Sequence, residues 1–242
     1  MKLAELSADD RLASLYYDIF TPAFPADQLG TLDAIRAGIR DGYTHVVSVI
    51  DDDGAVIAGA VAKWSESCRV LLLSYLAVAD GDRGKGTGGQ LYRHVRTEWM
   101  RAFRPCLFVA EVEHPDHHPG SSAHGDPLRR LRFYASHGAR ALGLPYFQPP
   151  LRPDAERVYG MLLLALHVDP EVVGADPASV NGSPLRTWFT EYLVETEGTV
   201  STDPATTAMM RAVTAPGGVP LVPAERYREV PVAFAATHLT DH

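Results

Sequence analysis

The sequence predicts a single α/β domain with a C-terminal extension. Three observations predict it. Helical and strand periodicities alternate along the chain, an Asp-Asp-Asp-Gly turn joins two β-branched runs, and an apolar run passes through a glycine-rich loop into an amphipathic one. No repeat and no linker interrupts the pattern. Residues 1–170 therefore read as one domain, and residues 171–242 as an extension packed on it.

The elements follow in order. Ser7 opens a helix running to about Ile19, with Asp9 and Asp10 near the positive end of its dipole. Residues 21–29, TPAFPADQL, break it. Leu32, Ile35 and Ile39 repeat at helical spacing over 31–42, and Gly42 is a stop. THVVSVI and AVIAGAVAKW flank the acidic turn and read as a hairpin. Residues 70–79 are a third strand. A helix over 88–103 carries Leu91, Val95, Trp99 and Phe103 on one stripe, and 106–113 is again a strand. Asp126 and Pro127 start a helix that stops at Gly138. Two further strands span 139–148 and 157–167, a helix lies near 184–196, and the tail is Pro-rich.

Composition narrows the function classes. With 242 residues, 46% of them hydrophobic, the chain can bury a sizeable core. Its formal charge of −8, from 22 basic and 30 acidic residues, lacks the basic field of a nucleic-acid or anionic-membrane surface. Cys68 and Cys106 form neither a disulfide framework nor a zinc pattern. The N-terminus lacks a signal-peptide core, and no run has the roughly 18 apolar residues of a membrane span. The expectation is a cytoplasmic protein with no nucleic-acid or membrane partner.

The chemistry concentrates in GDRGKGTGGQ, residues 81–90. A nucleoside-triphosphate loop needs Gly, four residues, then Gly-Lys-Ser/Thr, but Gly81 and Gly84 are too close and Lys85 precedes Gly86. Gly84, Gly86 and Gly89 satisfy the dinucleotide spacing, with Glu111 about where a ribose-binding acid belongs, yet a hairpin precedes the loop and too few βαβ units follow. The third pattern, Arg/Gln-x-x-Gly-x-Gly/Ala between strand and helix, is met in full by Arg83 to Gly88. Glycines allow backbone N–H groups to turn toward one anion, and the following helix adds its positive end.

With that loop the sequence resembles the GNAT (Gcn5-related N-acetyltransferase) superfamily over about residues 1–167. Arg132 to Ala139, RFYASHGA, is similar to the family's Phe-Tyr-x-x-x-Gly-Phe helix end. Departures are Pro127 where an Asn is frequent, Ala139 after Gly138, and a lengthened His-rich loop at 114–125. The resemblance implies a mixed, mostly antiparallel sheet flanked by helices. It also implies direct transfer of an acyl group, most simply acetyl, from a CoA thioester to an amine. A small-molecule amine acceptor is preferred to a protein one. A donor carried on an acyl carrier protein and a non-catalytic acyl-CoA sensor are the alternatives, and a homodimer is left open.

The resemblance assigns donor binding to Leu76, Ala77 and Val78, whose backbone would meet the pantetheine arm, and to Arg83, Gly84, Lys85, Gly86, Thr87, Gly88 and Gly89 around the pyrophosphate. Tyr134 matches the tyrosine that protonates the departing sulfur, a phenol being close to a thiol in pKa. Glu111 and Glu113 are two apart on one strand face and are the candidates for accepting the ammonium proton, with Tyr75 as a further contributor. No metal is expected. His114, His117, His118 and His124 match no metal-ligand spacing and read as a solvated loop near the acceptor, and Asp51 to Asp53 read as a turn. Pro149 to Pro153 are expected to border the acceptor pocket. Trp188, Phe189 and Tyr192 read as core packing of the appended helix.

Overall fold

The computed structural model describes residues 2–7, 10–121, 124–174 and 176–235. Among the described residues, ten strands form one sheet. They are β1 (Lys2–Glu5), β2 (Thr44–Ile50), β3 (Val56–Ser65), β4 (Val70–Val78), β5 (Leu107–Glu113), β6 (Arg140–Leu142), β7 (Tyr146–Gln148), β8 (Val158–Val168), β9 (Ser179–Val180) and β10 (Val219–Pro223). Their order is β1-β2-β3-β4-β5-β8-β6-β10-β9, and β7 also pairs with β8. β4 and β5 are parallel and the other pairings are antiparallel. The sheet is thus mixed and mostly antiparallel, as expected.

Two features of β4 position everything that follows. Its register with β5 runs from Val70↔Leu107 to Leu73↔Ala110 and stops there, although β4 continues to Val78 and β5 to Glu113. On the other side, Val61 pairs with Tyr75 and Ala62 with Leu73, so Ser74 is an extra residue, a β-bulge. The bulge shifts the alternation. Leu71 and Leu73 pack on one face of the sheet, while Tyr75 and Ala77, which strict alternation would place with them, pack on the other.

The helices cover both faces. α1 (Asp10–Ser14) and α2 (Thr21–Ala23) flank a wide turn, Leu15–Phe20, in which the Thr21 N–H and Oγ1 both reach the Tyr16 carbonyl. This helix therefore extends past Ile19. α3 (Leu32–Arg40) begins at a Thr31 cap. α4 (Thr87–Phe103) buries Leu91, Val95 and Trp99 with α5 (Pro127–Ser136), whose cap is Asp126. α6 (Ser183–Glu197) and α7 (Pro204–Val213) cover the opposite face through Trp188, Phe189, Leu193 and Met209.

Several elements were not legible in the sequence. β1 occupies the stretch before the Ser7 signal, and the Asp9 of that signal lies outside the described residues. The single strand expected over 139–148 divides into β6 and β7 around Gly143 to Pro145, where the Gly143 N–H bonds the Pro220 carbonyl. The Pro-rich tail contains α7 and β10, and β10 is hydrogen-bonded to β6 within the same sheet.

Gly182, at the start of α6, lies against α7, and a Cβ there would stand 1.9 Å from the Val213 carbonyl oxygen. Gly182→Ala must therefore separate the two helices. Chemical denaturation is expected to show a loss of about 1–3 kcal/mol, the usual range for overpacking.

Candidate active site

The glycine loop closes one end of a cleft of about 890 Å³ on the α4/α5 face. After β4 the chain makes a short 3₁₀ turn, Asp80–Asp82, then passes through Gly84 (φ 82°) and Gly86 (φ 86°). Both angles are left-handed and favour glycine. Gly86 caps α4 without any side-chain acceptor, so the first-turn amides of Thr87, Gly88 and Gly89 are left to whatever enters. A Cβ at Gly84 or Gly86 would meet nothing within 4 Å, so these glycines face open space. The basic side chains are engaged within the loop. Arg83 pairs with Asp80 (2.8 Å) and donates to the Val78 carbonyl (3.2 Å), and Lys85 pairs with Asp82 (2.9 Å). The anion-directed groups are mainly backbone.

The cleft continues along β4 to Leu76, Ala77 and Val78 and across to Phe133 and Tyr134 on α5. Ala79 N–H donates to the Ile57 carbonyl on β3 (2.9 Å). Amides alternate along a strand, so Ala77 also faces β3, whereas Leu76 and Val78 turn theirs toward the gap beside β5. Of the three backbone positions read from the sequence, two are thus open.

Behind the gap, on the opposite face, lies a second cavity of about 350 Å³. Ser74, Tyr75 and Glu111 line it from the splayed strands, Pro150 to Pro153 from the β7–β8 connection, and Tyr192 and Glu195 from α6. Glu111 directly follows Ala110, the last residue of β5 paired with β4. The two cavities share no lining residue, and the packed rings of Phe24 and Tyr75 stand between them (centroids 5.1 Å apart).

No family model and no curated protein sequence matches the chain. Solved structures do. A protein from Bacteroides thetaiotaomicron assigned to the GNAT family of acetyltransferases superposes with a TM-score of 0.53 at 20% identity, over 70% of this chain and 88% of that one. A protein from Acinetobacter baylyi ADP1 described as an acetyltransferase gives 0.51 at 10% identity, over 69% and 94%. The fold is the GNAT fold. At these identities the likeness is one of architecture, and the chemistry must be read from the site.

In this GNAT fold the carboxylates of β5 differ sharply. Glu111 accepts hydrogen bonds from the Tyr146 hydroxyl, from Gln148 Nε2 (2.9 Å) and more distantly from the Tyr192 hydroxyl (3.5 Å). Burial raises its pKa, and the bonds from Tyr146 and Gln148 oppose the rise. Burial also pushes Tyr146 and Tyr192 well above the ordinary phenol range, so both remain protonated donors near neutral pH. Glu113 is tied on both oxygens, to Gln28 Nε2 (2.9 Å) and Arg130 (3.0 Å). It lines neither cavity and bridges the segment before α3 to α5.

Tyr134 is buried, and burial raises its pKa with Tyr92 adding and Arg130 opposing. The hydroxyl of Tyr75 accepts from the Gly30 N–H (2.8 Å) while its ring packs on Phe20 and Phe24. The His-rich loop is largely exposed as read, at Asp116, His117 and Pro119 to Ser121, but its first histidine is not. His114 is 2% exposed and lies between the tilted ring of His117 and the edge-on ring of Tyr227, and Asp116 pairs with Arg228. A C-terminal segment that the sequence did not signal supplies that cover. Among the described residues no His/Cys/Asp/Glu group is arranged to hold a metal.

Sequence reading missed Tyr146, Gln148 and Tyr192. Each sits in an element of unremarkable pattern, and only the tertiary fold brings them to Glu111. The raised pKa of Glu111 has a consequence for stability. The native carboxyl binds its proton more tightly than the unfolded one, whose pKa is about 4.3. Protonation therefore favours folding at low pH, and that advantage is lost as the pH rises through the native pKa. The unfolding free energy of wild type minus that of Glu111→Gln is expected to fall over that interval. Parallel pH profiles for the two proteins would remove the shift.

Proposed function

We propose that this chain is an acyl-CoA-dependent N-acyltransferase, most simply an acetyltransferase, acting on the amine of a small molecule. The observation that carries the reading is the slot between β4 and β5. Its β4 edge borders a cleft suited to a phosphate-bearing, strand-like donor, and its β5 edge carries Glu111, the first residue past the shared ladder, whose carboxyl pKa is raised by burial.

The donor side fits an acyl-CoA. The left-handed glycines leave room for a pyrophosphate beside the amides of Gly84 to Gly89, and the open amides of Leu76 and Val78 offer a pantetheine arm the pairing that β5 no longer gives. Bound there, an acyl-CoA supplies an activated carbonyl on sulfur. Arg83 and Lys85 reinforce the loop through Asp80 and Asp82, and Thr87, which is buried, anchors the first turn of α4. In this reading the Val78 amide polarises the thioester oxygen.

Each remaining residue has a proton to hold or move. Glu111, with its raised pKa, takes the proton of the incoming ammonium, which frees the nitrogen lone pair to form the C–N bond as the C–S bond breaks. Tyr134, kept protonated by burial, donates to the departing sulfur and is restored by the second proton that the nitrogen gives up as it becomes an amide. Glu113, held by Gln28 and Arg130, is a positioning residue at the end of β5 rather than the base.

Calorimetric titration with acetyl-CoA is the direct test of the donor, with NAD and ATP as controls. Stoichiometric binding of acetyl-CoA alone supports the reading, and binding of NAD instead would sink it. Gly86→Val strains the left-handed turn and fills its open side. It should lower acetyl-CoA affinity at least about tenfold, or ~1.4 kcal/mol, with the circular dichroism spectrum retained. Tyr134→Phe should lower kcat by roughly a hundredfold, the lower end of general-acid contributions, and leave acetyl-CoA affinity unchanged. Undiminished turnover would take Tyr134 out of the mechanism.

A further inference from the structure

The donor cleft has an end wall. From the glycine loop it runs back along β4, past Val78, Ala77 and Leu76, and it is also lined by Ala23, the last residue of α2, and by Phe24. Those two pack with Tyr75 and Ala77, on the face opposite α4 and α5. The cleft therefore enters the slot from one face and meets Phe24 at the other. A donor whose phosphates lie at the loop extends along the strand away from it. Its arm reaches Val78 before Leu76, so the acyl group, at the far end of the arm, is the part that comes to Phe24.

Phe24 is a fixed wall for local reasons. Its backbone is extended (φ −122°, ψ 140°), as Pro25 requires of the residue before it. Its N–H donates to the Phe20 carbonyl (3.0 Å). Its ring meets those of Phe20 and Tyr75 edge-on, with centroids 5.9 and 5.1 Å away. Tyr75 cannot yield, because it is buried and its hydroxyl holds the Gly30 N–H (2.8 Å). The chain after Phe24 is tied to β5, where Gln28 Nε2 donates to Glu113 (2.9 Å). Tyr75 directly precedes Leu76, so the Phe24 ring stands beside the stretch of β4 that pairs the donor. Behind it is an anchored ring rather than space, and close-packed groups of this kind resist added methylenes.

We infer that Phe24 sets the length of the acyl group, so that the donor is an acetyl or propionyl thioester and a longer chain is refused. The inference rests on the acyltransferase reading and deepens it by naming the donor class and the residue that selects it. Neither the glycine loop nor the Phe-Tyr helix includes Phe24. In the sequence it is part of the stretch that breaks the first helix.

Calorimetry with CoA, acetyl-CoA, propionyl-CoA and hexanoyl-CoA needs no acceptor and separates the two claims. Wild type is expected to bind acetyl- and propionyl-CoA alike and hexanoyl-CoA at least about tenfold more weakly, the order of an overpacking penalty. Phe24→Ala should bring hexanoyl-CoA to at least the affinity of acetyl-CoA, while CoA itself binds as before. Phe24→Leu, which keeps the apolar packing if the alanine variant fails to fold, should restore part of the loss. A merely structural Phe24 predicts that both variants weaken every donor, CoA included, by the same factor, and that result would overturn the inference. So would equal binding of acetyl- and hexanoyl-CoA by wild type, or a preference unchanged in both variants. If CoA binds and length is not discriminated, the inference alone fails. If neither CoA nor any thioester binds, the acyltransferase reading fails and the inference falls with it.

Discussion

The arrangement depends on a backbone fact, that the ladder between β4 and β5 stops at Leu73 and Ala110. Backbone amides beyond that point must be paired with something, because a buried unpaired N–H is costly. The strands cannot simply close on each other. β4 is held from behind by β3 as far as Ala58↔Val78, and β5 by β8 as far as Glu113↔Met161. The Ser74 bulge turns Tyr75 onto the far face, where Gly30, Phe20 and Phe24 fix it. Each edge of the slot is therefore rigid for reasons that lie outside the slot. A preorganised gap of this kind loses little order on binding, which is the condition under which strand-like recognition is effective.

The two carboxylates of β5 differ in what surrounds them. Glu111 and Glu113 share a sheet face and are two residues apart, so sequence alone makes them equals. Their partners separate them. Glu113 meets a guanidinium, which fixes a charge in place. Glu111 meets neutral phenols and an amide, which stabilise an anion without adding a counter-charge, while burial works against that anion. The balance leaves Glu111 a better proton acceptor than a carboxylate in water, and leaves Glu113 a strut.

Much of this was legible in the sequence wherever local chemistry sets local structure. Asp126-Pro127 capped α5 as read, the acidic turn joined β2 to β3, and the Arg83–Gly88 pattern placed left-handed glycines between a strand and a helix. What was not legible shares a cause. β10, VPLVP, has two prolines in five residues, yet it joins the sheet because β6 offers an edge and the prolines need only accept, as the Pro220 carbonyl does from the Gly143 N–H. The Ser74 bulge leaves no mark in an otherwise apolar run. Tyr146, Gln148 and Tyr192 reach Glu111 from segments 35 to 81 residues away in sequence. Such long-range convergence belongs to topology, and periodicity carries no trace of it.

The extension then matters for a mechanical reason. Trp188, Phe189, Tyr192 and Leu193 of α6 share one core with Leu72, Val109, Met161 and Leu163 of the sheet. Arg157, on the approach to β8, clamps the end of α6 through Glu197 and the start of α7 through Asp203. Lifting α6 would expose that aromatic surface and break the clamp together, so local opening there approaches the cost of disrupting the core. Tyr192 and Glu195 therefore stand as fixed walls of the cavity beside Glu111, and the 150–153 connection faces them across it.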